Sequence, residues 1–162
     1  MPGWRVGYLA YPTDLLTASM RKLQDTIPTH APIISQKLAL HCFNVDEEER
    51  QLNGVSWVSS KIKGLATVRD ALVPAIRILN TVYTTGAFYF LVPTPPHVTD
   101  EEAVDILAKE YKVLLMPGTP FGAPNYLRLS YGSIPVSDVL TAVGNITAGF
   151  QHLLKLSNER NI

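Results

Sequence analysis

Apolar residues recur at the three- and four-residue spacing of an amphipathic helix through most of the chain. Pro28 ends the first such segment, because proline breaks the helical hydrogen-bond ladder, and Pro74 is expected to kink or end the third. Thr99 and Glu102 are the two ends of a capping box that starts the fourth. The helical segments predicted from this spacing are residues 13–27, 32–42, 54–79, 99–111 and 135–153.

Other details of the pattern indicate where the first two helices begin and end. Thr13 can cap the first helix with its hydroxyl, and Pro32 stands at the expected start of the second. Ile34 opens the apolar stripe of that second helix. The acidic stretch Asp46–Arg50 is expected to be a solvated helix start or turn, since such charges are usually exposed.

Four short segments rich in aromatic and β-branched residues are instead typical of β-strands. In the last of them Leu127 and Leu129 fall on one face and Arg128 on the other. The three later strands alternate with helices, so we predict an α+β fold with a short antiparallel or mixed sheet covered on one side by helices. The first strand, Trp4–Ala10, is expected to stay outside that sheet. The four segments are residues 4–10, 87–92, 113–116 and 126–131.

Composition narrows the class of protein. The 162 residues are 46% hydrophobic and 17% charged, which fits a globular chain with one real core. Fourteen basic residues balance fourteen acidic ones, which argues against a nucleic-acid surface and against electrostatic attachment to membranes. No apolar run reaches the ~18 residues of a membrane helix. Cys42 is the sole cysteine, so a reducing compartment and a cytoplasmic location are expected.

Few side chains suggest chemistry by themselves. Arg5 lies among apolar neighbours in the first predicted strand, and a buried arginine needs an anion beside it. Lys61 and Lys63 lie in the middle of a helix and are expected to be solvated. No metal site is predicted, because the histidines lack the spacing of metal ligands. They are His30, His41, His97 and His152.

Four sequence blocks, taken together, carry more information than any one of them. The set resembles the class I and II aminotransferases, pyridoxal-phosphate enzymes of fold type I, whose blocks follow the same order. Four matches in order span essentially the whole chain and make chance agreement improbable. The blocks are Pro-Gly-Trp-Arg-Val-Gly-Tyr at 2–8, Gly-Ala-Phe-Tyr-Phe at 86–90, Val-Leu-Leu-Met-Pro-Gly-Thr-Pro-Phe-Gly at 113–122 and Tyr-Leu-Arg-Leu-Ser at 126–130.

The resemblance implies roles for individual residues. Arg128 would bind the α-carboxylate of the amino acid and of the 2-oxo acid, a task suited to the planar, two-pronged guanidinium. Arg5 would bind the phosphate of pyridoxal phosphate. Phe121 would supply an apolar wall of the substrate cavity. Gly118 and Gly122 would permit backbone angles that other residues resist.

The resemblance also implies that the chain is the C-terminal portion of a longer enzyme. In the family the Schiff-base lysine comes just before the Gly-Trp-Arg block, so no catalytic residue is assigned here and the chain alone is expected to be inactive. Residues 1–12 would be a residual strand of the large domain, and residues 13–162 the small domain. The implied partners are amino acids, 2-oxo acids, the missing large domain and a second copy in a homodimer.

Two other interpretations fit the same residues. The chain could be a stand-alone, non-catalytic α+β module that binds carboxylates through Arg128 or a partner through its exposed first strand. It could also belong to another fold type I enzyme, such as a β-lyase or a cyclopropane-forming synthase, because these share the C-terminal motifs. No second arginine can be assigned to a side-chain carboxylate, which mildly favours a neutral substrate.

Overall fold

The computed structural model describes residues 2–11 and 14–161, and the chain divides into two compact units, residues 1–60 and 61–162. The described residues contain five α-helices and three β-strands. The helices are α1 (Asp14–Thr26), α2 (Ile33–Asn53), α3 (Trp57–Arg77), α4 (Asp100–Tyr111) and α5 (Val139–Glu159). The strands are β1 (Tyr89–Pro93), β2 (Met116–Pro117) and β3 (Tyr126–Ser130).

The first unit is helical, and its second helix is longer than the sequence predicts. Asp46–Arg50 lies inside α2, so its assignment to a helix start or turn is wrong. Asp46 accepts hydrogen bonds from the Ser56 hydroxyl at 2.9 Å and the Val58 N–H at 2.9 Å, and so serves the start of α3 instead. Ile34 is exposed. The buried residues of α2 are Ser35 and Ala39, which lie on a different face of the helix from Ile34. The predicted cap Thr13 lies outside the described residues.

The predicted strand Trp4–Ala10 is wrong. Pro2–Trp4 forms a 3-10 turn, and the chain from there to residue 11 has no regular structure. Arg5 adopts a left-handed φ of 55°, which no strand residue would have. The physical reason is that a strand is stabilised by ladder bonds to a neighbour, and no described strand pairs with this segment.

The second unit contains the predicted α+β fold. Its three strands form an antiparallel sheet in the order β1–β3–β2, so β3 is central. Arg128 in β3 stands opposite Leu91 of β1 and Met116 of β2. The backbone at Arg128 is therefore flanked by a paired strand on each side.

One face of the sheet packs against α3, α4 and α5 to form the core. The alternation predicted for β3 is confirmed, with Leu127 and Leu129 almost fully buried on that face. Pro74 lies on the exposed side of α3 and does not end it, because the helix continues to Arg77. Residues that share the helical side of the core are Leu72, Ile76, Ala103, Leu107, Ile146, Phe150 and Leu153.

None of the helices in the described ranges is sufficiently long and apolar to cross a membrane.

Candidate functional site

Arg128 lies on the sheet face that the helices leave uncovered. Its neighbours in β3 point into the core, and Arg128 itself is half-buried. Its Nε atom is buried, and within residues 2–11 and 14–161 nothing accepts a hydrogen bond from it. A buried charged donor without an acceptor costs free energy. The position therefore favours a ligand that brings an acceptor.

Two aromatic rings flank the Arg128 guanidinium. Its central carbon lies 4.7 Å from the ring centre of Tyr89 and 4.8 Å from that of Phe121. Contacts of this kind are worth about 0.5–2 kcal/mol each and hold the guanidinium plane in place. Phe121 was expected at the site from the sequence. Tyr89 was given no role from the sequence, and the structure places its ring beside the guanidinium.

The ring of Phe121 is carried by a tight loop between β2 and β3. The Gly118 N–H donates to the Tyr126 carbonyl at 2.7 Å, and the Gly118 carbonyl accepts from the Phe121 N–H at 2.8 Å. Gly118 has an ordinary φ of −78°, and what it requires is space, because a Cβ would overlap the Ala123 carbonyl. Gly122 has φ 72°, the left-handed angle expected for it.

Asp100, at the start of α4, also binds this loop. Its carboxylate Oδ2 accepts the Thr119 N–H at 2.8 Å and the Thr119 hydroxyl at 2.7 Å. Burial alone would raise the pKa of Asp100, but the hydrogen bonds from Thr119 and from the helix backbone outweigh it, so the pKa lies below its usual value. Asp100 is therefore a charged acceptor at the start of α4.

Arg128 is half-buried and lacks a carboxylate partner among the described residues, whereas the other arginines without one are exposed, namely Arg5, Arg21 and Arg77. Arg50, Arg69 and Arg160 each contact one, Glu47 at 2.7 Å, Asp70 at 2.8 Å and Glu102 at 2.6 Å respectively. No side chain in the described part of the chain plays that role for Arg128. A planar carboxylate can take two parallel N–H donors of a guanidinium.

Arg5 belongs to the first unit and is exposed, so its predicted burial is wrong. Trp4, Tyr8 and Leu9 around it are exposed as well. The described residues 2–11 thus supply one cationic side chain, Arg5, that could bind a phosphate, but no buried surface around it. They do not by themselves form a cofactor pocket. Across the described ranges, no three His, Cys, Asp or Glu side chains lie close enough to hold a metal ion.

Comparison with characterised sequences connects this geometry to a family. Residues 1–146 match the family described as Aminotransferase class I and II. The aromatic aminotransferase ISS1 of Arabidopsis thaliana is 33% identical over 160 residues, covering 95% of this chain and 39% of that protein. An aspartate/prephenate aminotransferase of Thermus thermophilus is 30% identical over 135 residues, covering 82% of this chain and 34% of that protein.

Solved structures give the same result. A tetra mutant of Thermus thermophilus aspartate aminotransferase superposes with a TM-score of 0.65 at 27% identity, over 92% of this chain and 40% of that one. The aspartate aminotransferase from Thermus thermophilus with maleate gives 0.64 at 27% identity, over 92% of this chain and 38% of that one. The chain thus spans between about a third and two fifths of the length of these relatives. On the match of residues 1–146, the chain belongs to the class I and II aminotransferases.

Proposed function

We propose that Arg128 binds the carboxylate common to an amino acid and its 2-oxo acid, in a protein that transfers the amino group between them. One observation carries the proposal. The Arg128 Nε is buried and unpartnered within the described residues, while two aromatic rings hold the guanidinium on an otherwise open sheet face.

The site would act by orientation as well as by affinity. Two parallel N–H···O bonds fix the carboxylate plane, and the carboxylate in turn fixes the direction of the neighbouring Cα. The rings of Tyr89 and Phe121 both lie within 4.8 Å of the guanidinium carbon and restrict the orientation of the group. A charge pair of this kind, truncated in a desolvated site, costs about 2–5 kcal/mol.

The reaction would need groups beyond this chain. Pyridoxal phosphate, when bound, supplies the electron sink for breaking a bond at Cα. We propose that Arg5 contacts its phosphate in the whole protein, supported by the Gly-Trp-Arg block around it. In the whole protein, residues 1–12 would then belong to the large domain and residues 13–162 to the small one. The cofactor lysine would come from the part of the relatives' length that this chain does not span.

One of the related structures supports a carboxylate ligand. The Thermus thermophilus aspartate aminotransferase was solved with maleate, which is a dicarboxylate. The same class of anion suits the Arg128 site of this chain, because a carboxylate has the flat, two-oxygen shape that a guanidinium recognises.

Calorimetric titration of the 162-residue chain with pyruvate tests the proposal. Pyruvate should bind, and pyruvamide, which lacks the carboxylate, should not. Arg128→Met should weaken pyruvate binding at least about 30-fold, the equivalent of ~2 kcal/mol. Arg69→Met is the matched control, since Arg69 already contacts Asp70 at 2.8 Å. Equal binding of pyruvate to the Arg128→Met variant would refute the assignment.

The catalytic part of the proposal has its own test. The reading frame upstream of residue 1 should encode a lysine shortly before the Gly-Trp-Arg block. Its absence, together with the absence of an acidic partner for the pyridinium nitrogen, would leave a carboxylate-binding module without transfer chemistry. The 162-residue chain itself, mixed with pyridoxal phosphate, should give no stable cofactor absorbance that depends on Lys61 or Lys63.

A further inference from the structure

We infer that Asp100 and Thr119 are positioning residues for the carboxylate site, acting through Phe121 on Arg128. The inference rests on the proposed function of Arg128. The Asp100–Thr119 pair does not contact the guanidinium in any hydrogen bond, so its effect must pass through the loop that carries the aromatic ring.

The first step concerns the carboxylate of Asp100, which is held in a fixed position. Asp100 is the first residue of α4 and is buried. The helix N-terminus stabilises a negative charge there, and the pKa of Asp100 lies below its usual value. α4 is in turn anchored to the core by Ala103 and Leu107, which are fully buried. Asp100 is therefore a rigid reference point beside the sheet.

The second step is the pair of hydrogen bonds that connects Asp100 to the loop between β2 and β3. Thr119 donates twice to the same oxygen of Asp100, once from its backbone and once from its hydroxyl. Two donors on one residue fix both its position and its rotation about the chain axis. The contact bridges α4 and the loop that leads into β3, which are 19 residues apart at this point.

The third step leads from Thr119 to Phe121. The two residues are the ends of one 3-10 turn, Thr119–Phe121. That turn is closed by the Phe121 N–H on the Gly118 carbonyl and the Gly122 N–H on the Thr119 carbonyl, at 2.8 and 3.0 Å. A shift of Thr119 must therefore shift the Phe121 ring, which lies 4.8 Å from the Arg128 guanidinium carbon.

The exposure of Thr119 and Phe121 indicates that holding this loop serves the Arg128 site more than the hydrophobic core. Thr119 and Phe121 are both exposed, with 48% of Phe121 accessible. Neither belongs to the hydrophobic core, so holding them adds little buried apolar area. The Phe121 ring instead lies against the Arg128 guanidinium, whose Nε has no acceptor among the described residues.

The test compares four single variants of the 162-residue chain. Thr119→Val removes the hydroxyl bond to Asp100, and Thr119→Ser retains it. Thr81→Val is the matched control, because the Thr81 hydroxyl also donates one short hydrogen bond, 2.7 Å to the Ile76 carbonyl, but away from the loop. Asp100→Asn, which keeps the side-chain shape and removes the charge, is a fourth variant that should resemble Thr119→Val.

Two readouts are needed. In the ligand-free chain, the Arg128 Nε–H proton resonance should be shielded by the two rings, and Thr119→Val should reduce that shielding while Thr81→Val and Thr119→Ser leave it unchanged. The dissociation constant for pyruvate should rise about two- to fivefold in Thr119→Val, the value of one cation–π contact at an exposed site. Thermal midpoints establish that each variant is folded.

The outcomes separate the two claims. Unchanged shielding in both Thr119→Val and Asp100→Asn, or a loss in Thr119→Ser as large as in Thr119→Val, would overturn the positioning role. If pyruvate binds equally well to Arg128→Met, the proposed function fails instead, and the shielding measurement still decides whether the Asp100–Thr119 pair positions Phe121.

Discussion

Tyr89 lies with its ring centre 4.7 Å from the Arg128 guanidinium carbon, across the join between β1 and the central strand β3. Tyr89 is opposite Ser130 and Arg128 is opposite Leu91, so the contact is a diagonal one on the uncovered face of the sheet. An aromatic side chain at position 89 thus covers the arginine that we propose as the carboxylate ligand.

Removing that ring should weaken the site without unfolding the sheet. Tyr89 is 43% exposed, so Tyr89→Leu keeps most of the local packing and loses the cation–π contact. We expect the dissociation constant for pyruvate to rise about two- to fivefold. Tyr89→Phe retains the ring and should bind like the wild type. A loss in Tyr89→Phe equal to that in Tyr89→Leu would assign the effect to the hydroxyl instead.

Charge alone should not satisfy the site. Arg128→Lys keeps a positive charge but replaces the flat fork with a single ammonium, which cannot make two parallel bonds to a carboxylate. We expect pyruvate binding about tenfold weaker than in the wild type, a smaller loss than in Arg128→Met because the positive charge is retained. Calorimetry measures it. Wild-type affinity in the lysine variant would show that the site reads charge and not shape.

Two glycines of α5 should respond oppositely to alanine. Gly149 faces Leu107 of α4, and a Cβ there would overlap the Leu107 side chain, whereas Gly144 has open space. Because Leu107 is fully buried, Gly149→Ala should lower the free energy of unfolding by about 1–3 kcal/mol. Gly144→Ala should raise it by about 0.5–1 kcal/mol. Urea unfolding measures both, and equal effects would contradict the close approach of α4 and α5.

The ends of α4 and α5 are joined by a pH-sensitive ion pair. Arg160 donates to both oxygens of Glu102, at 2.6 and 2.8 Å, and also to the His97 carbonyl. The hydrogen bond from Arg160 lowers the pKa of Glu102 below its usual 4.5, since it favours the charged carboxylate. Stability from this pair should therefore be fully present above pH 4.5 and be lost as the pH falls through the lowered value.

Thermal unfolding of Arg160→Gln measures that contribution. Its melting temperature should lie below that of the wild type at neutral pH, and the difference should shrink as the pH falls below 4.5. Lys109→Gln is the control, because its pair with Asp105 lies within one helix and is well exposed. A difference between wild type and Arg160→Gln that does not change with pH would contradict the role given to Glu102.

Local patterns predicted much of the second unit. The alternation in β3 placed Leu127 and Leu129 in the core and Arg128 outside it, and the structure confirms this. The predicted N-cap at Thr99 is also present, with the Thr99 hydroxyl accepting the Glu102 N–H at 3.2 Å. Such features depend on residues within one or two turns of each other, so spacing along the chain is enough to find them.

Features made by residues far apart could not be found this way. The Asp100–Thr119 bonds and the ring of Tyr89 over Arg128 depend on strand register and loop path, which spacing does not give. The wrong prediction of a strand at Trp4–Ala10 has a related cause. Its composition favours extended chain, but a strand also needs a partner, and partners are set by tertiary structure.

The Arg128 Nε–H itself provides the decisive measurement of carboxylate binding. In a nitrogen-15-labelled 162-residue chain, in buffer without carboxylates, addition of pyruvate should shift the Arg128 Nε–H resonance in a saturable way. Pyruvamide should leave it in place, and the Arg69 resonance should not respond to either compound. An Arg128 signal indifferent to pyruvate, or one moved equally by pyruvamide, would contradict the account.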